Sequence, residues 1–582
     1  MSLLLLLFAQ AAVPQATAFQ AAIPQEELNP GGNFRAETRK GIHITTETHW
    51  PQALRTGYFP VRIRLENQRD TAVTLDVSLR HGWYDRTETF GTINLEPGEA
   101  RRLDWLGLFL EENYSDEITL VLEEGLQQIG QWSVMSTLPS SSRDSHMGAI
   151  VIGEDAEKIA KELRGRQFFV KGGPPQDLTV GFVPINRTPT DWRAWSSLRL
   201  VILRAGGQPL PAEAITGLAD WVSLGGLLVV EGVRKEAVAL LASGGLLLDE
   251  RLKNTGGPAD LYRFGFGQVV MAGGESATAR ELMGASPMWT SHYPPPNGPF
   301  PGKLARQNVL IPGIGLPPIK IFLLVLIAFA LVVGPFQFQR LKKKNPFAFL
   351  IWTPILGIGF TGVLLGWSLL SHGLHVQEST VSITWLNQQT KQASTLAFRH
   401  TFSGSILHGG LHYKPRTAAV PGNHDPTNQK DFFVRDMNLG GALTDKFFPV
   451  RLPFHELQAN VQTARQKVAI EKEGKKIFAI NGMETDLLDF VYHAEDSLWW
   501  HAPLDEPFKQ GQRILLTLGE PPPPPHLAGL HHEDLPQIPG ALPSRSWQAS
   551  LVESNFLDDG GIPRERVGQD HLIIGIMEAM DR

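Results

Sequence analysis

The hydrophobic pattern changes character along the chain. Between residues 36 and 138, apolar and polar positions alternate with period two, as in Val61-Arg62-Ile63-Arg64-Leu65 and Val73-Thr74-Leu75-Asp76-Val77-Ser78-Leu79. Shorter runs lie over Ile118 to Leu122 and Trp132 to Val134. A strand sends successive side chains to opposite faces, so these runs predict strands with one buried and one wet face. Asn67-Gln68-Arg69-Asp70 and Glu96-Pro97-Gly98-Glu99 supply turns between them. About 100 residues of this kind predict an immunoglobulin-like β-sandwich, assigned on pattern alone because no Cys–Trp–Cys framework is available. Leu138 to Ser142 reads as a linker.

From 147 to 272 the alternation stops. Ala149 to Ile152, Val180 to Val183, Leu198 to Leu203 and Leu227 to Val230 are short apolar runs, with helical stretches over Asp155 to Leu163 and Pro211 to Val222. Uninterrupted apolar strands separated by helices predict a parallel sheet covered on both faces, in a Rossmann-like or flavodoxin-like α/β domain. Residues 273–316 become rich in Pro and Gly and read as an extended stem. Val376 to Leu386 alternates again, with further strands over Lys467 to Ile470 and Ile514 to Leu518, so 373–520 reads as a β-rich domain. The five prolines from Pro521 to Pro525 open a Pro-rich tail over 521–582, and Ile573 to Met580 reads as a final short helix.

Three segments read as membrane signals. Leu3 to Phe8 is apolar and is followed by Ala9-Gln10-Ala11 and Ala16-Thr17-Ala18, which makes 1–18 a signal peptide. The apolar stretches over 318–338 and 346–370 are each long enough to predict a transmembrane helix. The loop between them carries Arg340, Lys342, Lys343 and Lys344, whereas 371–390 carry no Lys or Arg. Positive residues stay on the cytoplasmic side, so the expectation is a two-helix hairpin in a bacterial inner membrane with both flanking regions outside. Trp352 and Trp367 read as interface anchors.

Composition narrows the classes. Over 582 residues, 42% are hydrophobic and 19% charged, enough to build several cores. Lys and Arg number 53 against 59 Asp and Glu, a net charge of −6, which argues against a nucleic-acid partner. There is no cysteine, so disulfides, thiolate metal sites and a Cys nucleophile are all excluded.

The phrases DWRAWSSLRLVIL, ITGLADWVSLGGLLVVEG, RFGFGQVVM and VVGPFQFQRLKKKNPFAFLIW resemble uncharacterised bacterial membrane proteins with a degenerate class I glutamine amidotransferase-like domain. The resemblance covers about residues 40–480. It implies a flavodoxin-like fold over 147–272 and service in an envelope complex. An active amidotransferase would place a Cys near Gly232-Val233, after the strand Leu227 to Val230, and none stands there.

Other motifs carry little chemistry. Ser243-Gly244-Gly245 has its glycines on the wrong side for a nucleophile elbow. Gly265-Phe266-Gly267 is a tight turn rather than a nucleotide loop, and no phosphate-binding motif occurs. Gly422-Asn423-His424-Asp425 resembles a metallophosphoesterase fragment, but the nearest D-x-H, Asp144-Ser145-His146, lies far upstream and no GDxxD follows. His400, His408, His412 and His424 match no zinc spacing. His531-His532-Glu533-Asp534 reads as a polar loop, and Trp221 as helix packing. Asp558-Asp559 and Glu111-Glu112 carry no acid–base signature. No catalytic, cofactor-binding or metal residue is assigned, and no cofactor. The expectation is a non-enzymatic membrane-anchored envelope protein that binds a protein or ligand partner. The alternatives are an envelope hydrolase or carbohydrate-active enzyme using the α/β domain, and a transporter subunit.

Overall fold

The computed structural model describes residues 33–81, 86–109, 117–136, 145–168, 176–204, 210–232, 250–252, 259–272, 299–300, 319–336, 346–372, 375–405, 411–421, 434–436, 442–444, 453–502, 506–522 and 542–577, with residues 138, 239, 241 and 339 between them.

Two four-stranded antiparallel sheets face each other at the N-terminal end. One runs Asn33–Arg39, Ile42–Thr48, Gly57–Asn67, Ala100–Phe109 in spatial order, and the other Arg86–Leu95, Val73–His81, Glu117–Glu124, Gln127–Ser136. The alternating positions decide which side is inside. Val61, Ile63 and Leu65 meet Leu75, Val77 and Leu79 in the core, while Arg62 and Arg64 point away from it.

An eight-stranded sheet follows. Its centre is parallel: Gln176–Val183, His146–Ile152, Leu200–Arg204, Leu227–Glu231 and Gly267–Ala272, in that order. Both faces of the inner strands His146–Ile152, Leu227–Glu231 and Gly267–Ala272 are buried, which is why their sequences are largely apolar. Helices Ala156–Leu163 and Ala212–Ser223 cover it. The chain leaves His146–Ile152 for one neighbour and later returns to the other, so the order reverses beside that strand.

The third lobe is an eleven-stranded sheet. At its centre Val376–Asn387 pairs antiparallel with Gln392–Ser403 and parallel with Glu565–Ile576. The tail is thus built into the middle of the sheet. Residues 573–576 are the end of a buried strand rather than the start of a helix. Pairing with a strand almost 190 residues upstream supplies that strand with its hydrogen bonds.

The membrane expectation is corrected. No helix among the described residues is long and apolar enough to cross a membrane. Among the described residues the first segment is α-helical over Ile319–Leu331 and passes into a π-helical turn, Val332–Phe336, that contains Pro335. Thirteen residues at 1.5 Å each reach about 20 Å, short of a ~30 Å hydrocarbon core. The second helix, Pro346–His372, is longer and carries Pro354 in its interior. Its described side chains extend only over 351–364 and residue 366. The transmembrane hairpin and the inner-membrane anchorage built on it therefore fall. The fold across the described residues is mostly β, with four α-helices, in place of the expected multidomain plan around a membrane hairpin. The signal peptide over 1–18 and the Arg340–Lys344 loop lie outside the described residues, as does the 273–316 stem apart from 299–300.

Candidate functional site

The segment 49–56 joins two sandwich strands and lies directly on the face of the α/β sheet, over His146–Ile152 and Gln176–Val183. Two glycines allow this contact. A Cβ on Gly148 would stand 2.2 Å from the Ala53 carbonyl oxygen, and one on Gly181 2.2 Å from that of His49. Tyr58 and Arg55 add backbone bonds to Ser196 and Ser197.

This contact buries part of the sandwich's outer face and creates a cleft of about 340 Å³ between the two units. Glu47 and Arg62 are opposite one another on neighbouring strands, and Arg187 comes from the short 3₁₀ turn Ile185–Arg187 after a parallel strand. Arg187 donates a short hydrogen bond to Glu47. His49 Nε2 lies 2.9 Å from the same carboxylate, and Arg62 lies 3.9 Å from it. Burial alone would raise the Glu47 pKa. The hydrogen bond and charge of His49, with the charges of Arg187 and Arg62, outweigh burial and hold it below the usual carboxylate range. At the mouth, Arg62 also donates to the exposed Asp104 at 2.9 Å. Trp50 and Trp105 line the cleft beside Asp191 and Thr190.

The charged side chains of this cleft are paired with one another. Glu47 is ionised and committed to cations, which makes it a poor base. Two of the lining hydroxyls donate to carbonyls: Thr48 to Pro60 and Thr188 to Pro184. His49 Nδ1 has no hydrogen-bond partner among the described residues.

The strand-end crevice of the α/β unit is filled differently. Arg204 donates to the Glu154 carbonyl at 3.1 Å and stands 3.5 Å from Glu231 and 3.9 Å from Asp155. A side chain at Gly153 would meet Arg204. The guanidinium thus stands, partly exposed, at the strand ends where such folds commonly take ligands. Gly232 ends the strand that would carry an amidotransferase nucleophile, and Val233 lies outside the described residues.

A second polar cluster is buried in the C-terminal sheet. Arg399 and Arg564 flank Glu378, which accepts from Arg564 at 2.7 Å and from Thr380 at 2.7 Å. Burial would raise the Glu378 pKa, but the two arginines and Thr380 lower it on balance. Glu456, fully buried beside Tyr413, is shifted upward, because desolvation exceeds the pull of the same arginines.

The motifs singled out in the sequence do not converge. His400 and His455 are cross-strand neighbours with ring centroids 4.2 Å apart, and Phe398 stacks on His455. Stacked rings do not aim their nitrogens at a shared ion. His412 lies elsewhere, and its backbone N–H donates to Gly560. His408, Asn423, His424, Asp425, Asp144, Ser243, His531, His532, Glu533, Asp534, Glu111 and Glu112 lie outside the described residues. No group of three metal-binding side chains occurs among the described residues. Trp221 is buried under its helix. Trp352 is 51% exposed, on a helix pair joined by an edge-to-face contact of Phe329 and Phe360.

No family model matches the sequence, and no curated protein matches it. Among solved structures, a Bacteroides uniformis β-glucuronidase aligns at 15% identity over 33% of this chain and 22% of its own, with a TM-score of 0.13. A yeast delta-COP-I mu-homology domain aligns at 8% identity over 34% of this chain and 95% of its own, with a TM-score of 0.17. The chain thus spans about a fifth of the glucuronidase. Neither likeness carries the argument that follows.

Proposed function

We propose that this is a binding protein, and that the cleft between its sandwich and α/β unit receives a small polar ligand. One observation carries the reading. An ionised carboxylate, Glu47, is held by Arg187 and His49 on the cleft wall, while the Arg62–Asp104 pair stays open to water at its mouth. Such a wall offers fixed donors and acceptors at a junction of two units, where ligand sites commonly form. The commitment of Glu47 to cations, and of Thr48 and Thr188 to carbonyls, supports binding over acid–base or nucleophilic chemistry.

Trp50 and Trp105 provide the readout. Titration of the full chain with a panel of sugars, amino acids and nucleotides, followed by tryptophan fluorescence, should give saturable binding for one class. Arg62→Ala should weaken that binding while leaving the circular dichroism spectrum unchanged. A panel with no saturable member, together with hydrolysis of any of its compounds by the purified chain, would replace this reading with an enzymatic one.

A further inference from the structure

The C-terminal sheet has a buried face that is polar. Glu378, Thr380, Ser382 and Thr384 lie on one side of the central strand, and all are nearly inaccessible to water. Arg399, Glu456, Gln458 and Asn460 continue this face on the next two strands, again buried. A buried sheet face is ordinarily apolar, because each buried polar group needs a partner.

The partner here is a length of the chain's own backbone. Residues 554–560 cross this face without pairing as a strand. Asn460 donates to the Phe556 carbonyl at 3.0 Å, and Gln458 donates to the Asp558 carbonyl at 2.8 Å. Gln458 also accepts from the Asp558 N–H at 3.2 Å. Side chains two residues apart on a strand share a face, and Asn460 and Gln458 meet carbonyls likewise two residues apart in the strap, whose backbone bends at 555–557. Arg399 donates to the Asp558 carbonyl and to the Asp559 carboxylate, and Arg564 to the Asp559 carbonyl. Phe556 is fully buried in the adjoining core, close to Phe490 and Trp547. Gly560 and Gly561 follow with left-handed backbones, at φ 64° and 78°.

The face offers more than this strap uses. Nε of Arg399, Nε of Arg564 and the Thr401 hydroxyl are buried without hydrogen-bond partners among the described residues. We propose that this face is a peptide-reading groove held shut by Phe556–Asp559, and that an extended segment of a partner protein with the same aromatic–apolar–acidic–acidic order exchanges with the strap. The recognition chemistry is specific: amides and guanidiniums for the backbone carbonyls, Arg399 for the Asp559 carboxylate, the Lys414 backbone N–H for the Asp558 carboxylate, and an apolar socket for the aromatic ring.

The test uses the full chain and a labelled synthetic peptide with the sequence of residues 553–561, followed by fluorescence anisotropy. The wild-type chain, with its strap in place, should bind weakly. The doubly substituted chain Asp558→Ala, Asp559→Ala should bind about tenfold more tightly, since a larger share of its grooves stands open. Adding Arg399→Lys to that chain should abolish the gain. Two outcomes overturn the proposal: no binding to a doubly substituted chain with wild-type circular dichroism, or its conversion to a dimer, which would make a second copy's strap the occupant. If that variant fails to fold, hydrogen exchange of the wild type decides. The amides of 553–561 should exchange by local opening, faster than those of 380–385, and equal protection would overturn the proposal.

Discussion

The Asp220 carboxylate accepts hydrogen bonds from Arg416 and Gln392, which belong to a different lobe from its own helix. It is buried at the end of Ala212–Ser223, one turn from Ser223, whose hydroxyl meets that of Ser394 across the same junction at 2.7 Å. Trp192 and Tyr58 add bonds to the carbonyls of Arg416 and Ala419. The α/β unit and the C-terminal sheet are therefore joined by a buried polar seam.

That seam has a definite pH response. Burial drives the Asp220 pKa up to about 6, despite the opposing pull of Arg416 and Gln392. A raised carboxyl pKa means the folded state binds the proton more tightly than the unfolded one. The contribution to stability is therefore greatest at low pH and is lost as pH rises from about 4 through about 6. Asp220→Asn should remove this slope while leaving stability at pH 7 little changed. Urea midpoints of both chains between pH 4 and 7 measure it.

Glu47 should behave with the opposite sign. Its lowered pKa means that its stabilising contribution is present above the ordinary glutamate range and is lost as pH falls through the folded value. Glu47→Gln leaves Arg187 half-paired at the junction of two units, which should cost about 2–4 kcal/mol at pH 7, somewhat less than for a fully buried pair. The substituted chain should also show a shallower loss of stability below pH 4.5. Denaturant unfolding across that range gives both quantities.

The cleft could not have been read from spacing. Glu47, Arg62 and Arg187 come from two units, and Glu47 and Arg187 are 140 residues apart; contacts between the units, those at Gly148 and Gly181 among them, bring them together. The period-two runs were legible because alternation follows directly from strand geometry: Val61 to Leu65 lies in Gly57–Asn67 and Val73 to Leu79 in Val73–His81. The apolar runs were legible for the opposite reason, since parallel strands are buried on both faces. The same reasoning misled at Glu378, Thr380, Ser382 and Thr384. They alternate as a wet face would, yet all four are buried. It misled again at 318–338, where hydrophobicity marks an apolar segment but not the end of the helix at Leu331. Asp558-Asp559 appeared featureless because its partners, Arg399 and Gln458, are at least 100 residues away.

The glycine contact that shapes the cleft is open to a direct test. Gly148 has an ordinary strand conformation, so any penalty for Gly148→Ala is steric. The new methyl would meet a backbone oxygen that cannot rotate aside. A loss of about 1–3 kcal/mol is expected, with weakened ligand binding. Gly357→Ala, where nothing lies within 4 Å and the residue is helical, should cost nothing and is the control. Thermal and urea unfolding of the two variants distinguishes a local clash from a general intolerance of substitution.

Two arginines only two residues apart separate buried from exposed electrostatics. Arg564 is 1% exposed and bonds to Glu378 and to the Asp559 carbonyl. Arg566 is 29% exposed and reaches the Asp559 carboxylate at 3.3 Å. Replacing Arg564 by Leu leaves the buried Glu378 with only Arg399, 3.8 Å away, and Thr380 to hold its charge. A loss of about 3–5 kcal/mol is expected, as when one partner of a buried pair is removed. Replacing Arg566 by Leu removes a solvent-screened contact and should cost no more than about 1 kcal/mol. Adding salt to about 1 M should shrink the Arg566 effect and leave the Arg564 effect nearly intact, because screening acts on exposed pairs far more than on buried ones. Urea unfolding at low and high salt tests both statements, and equal losses for the two variants would show that Glu378 is not an ionised buried partner.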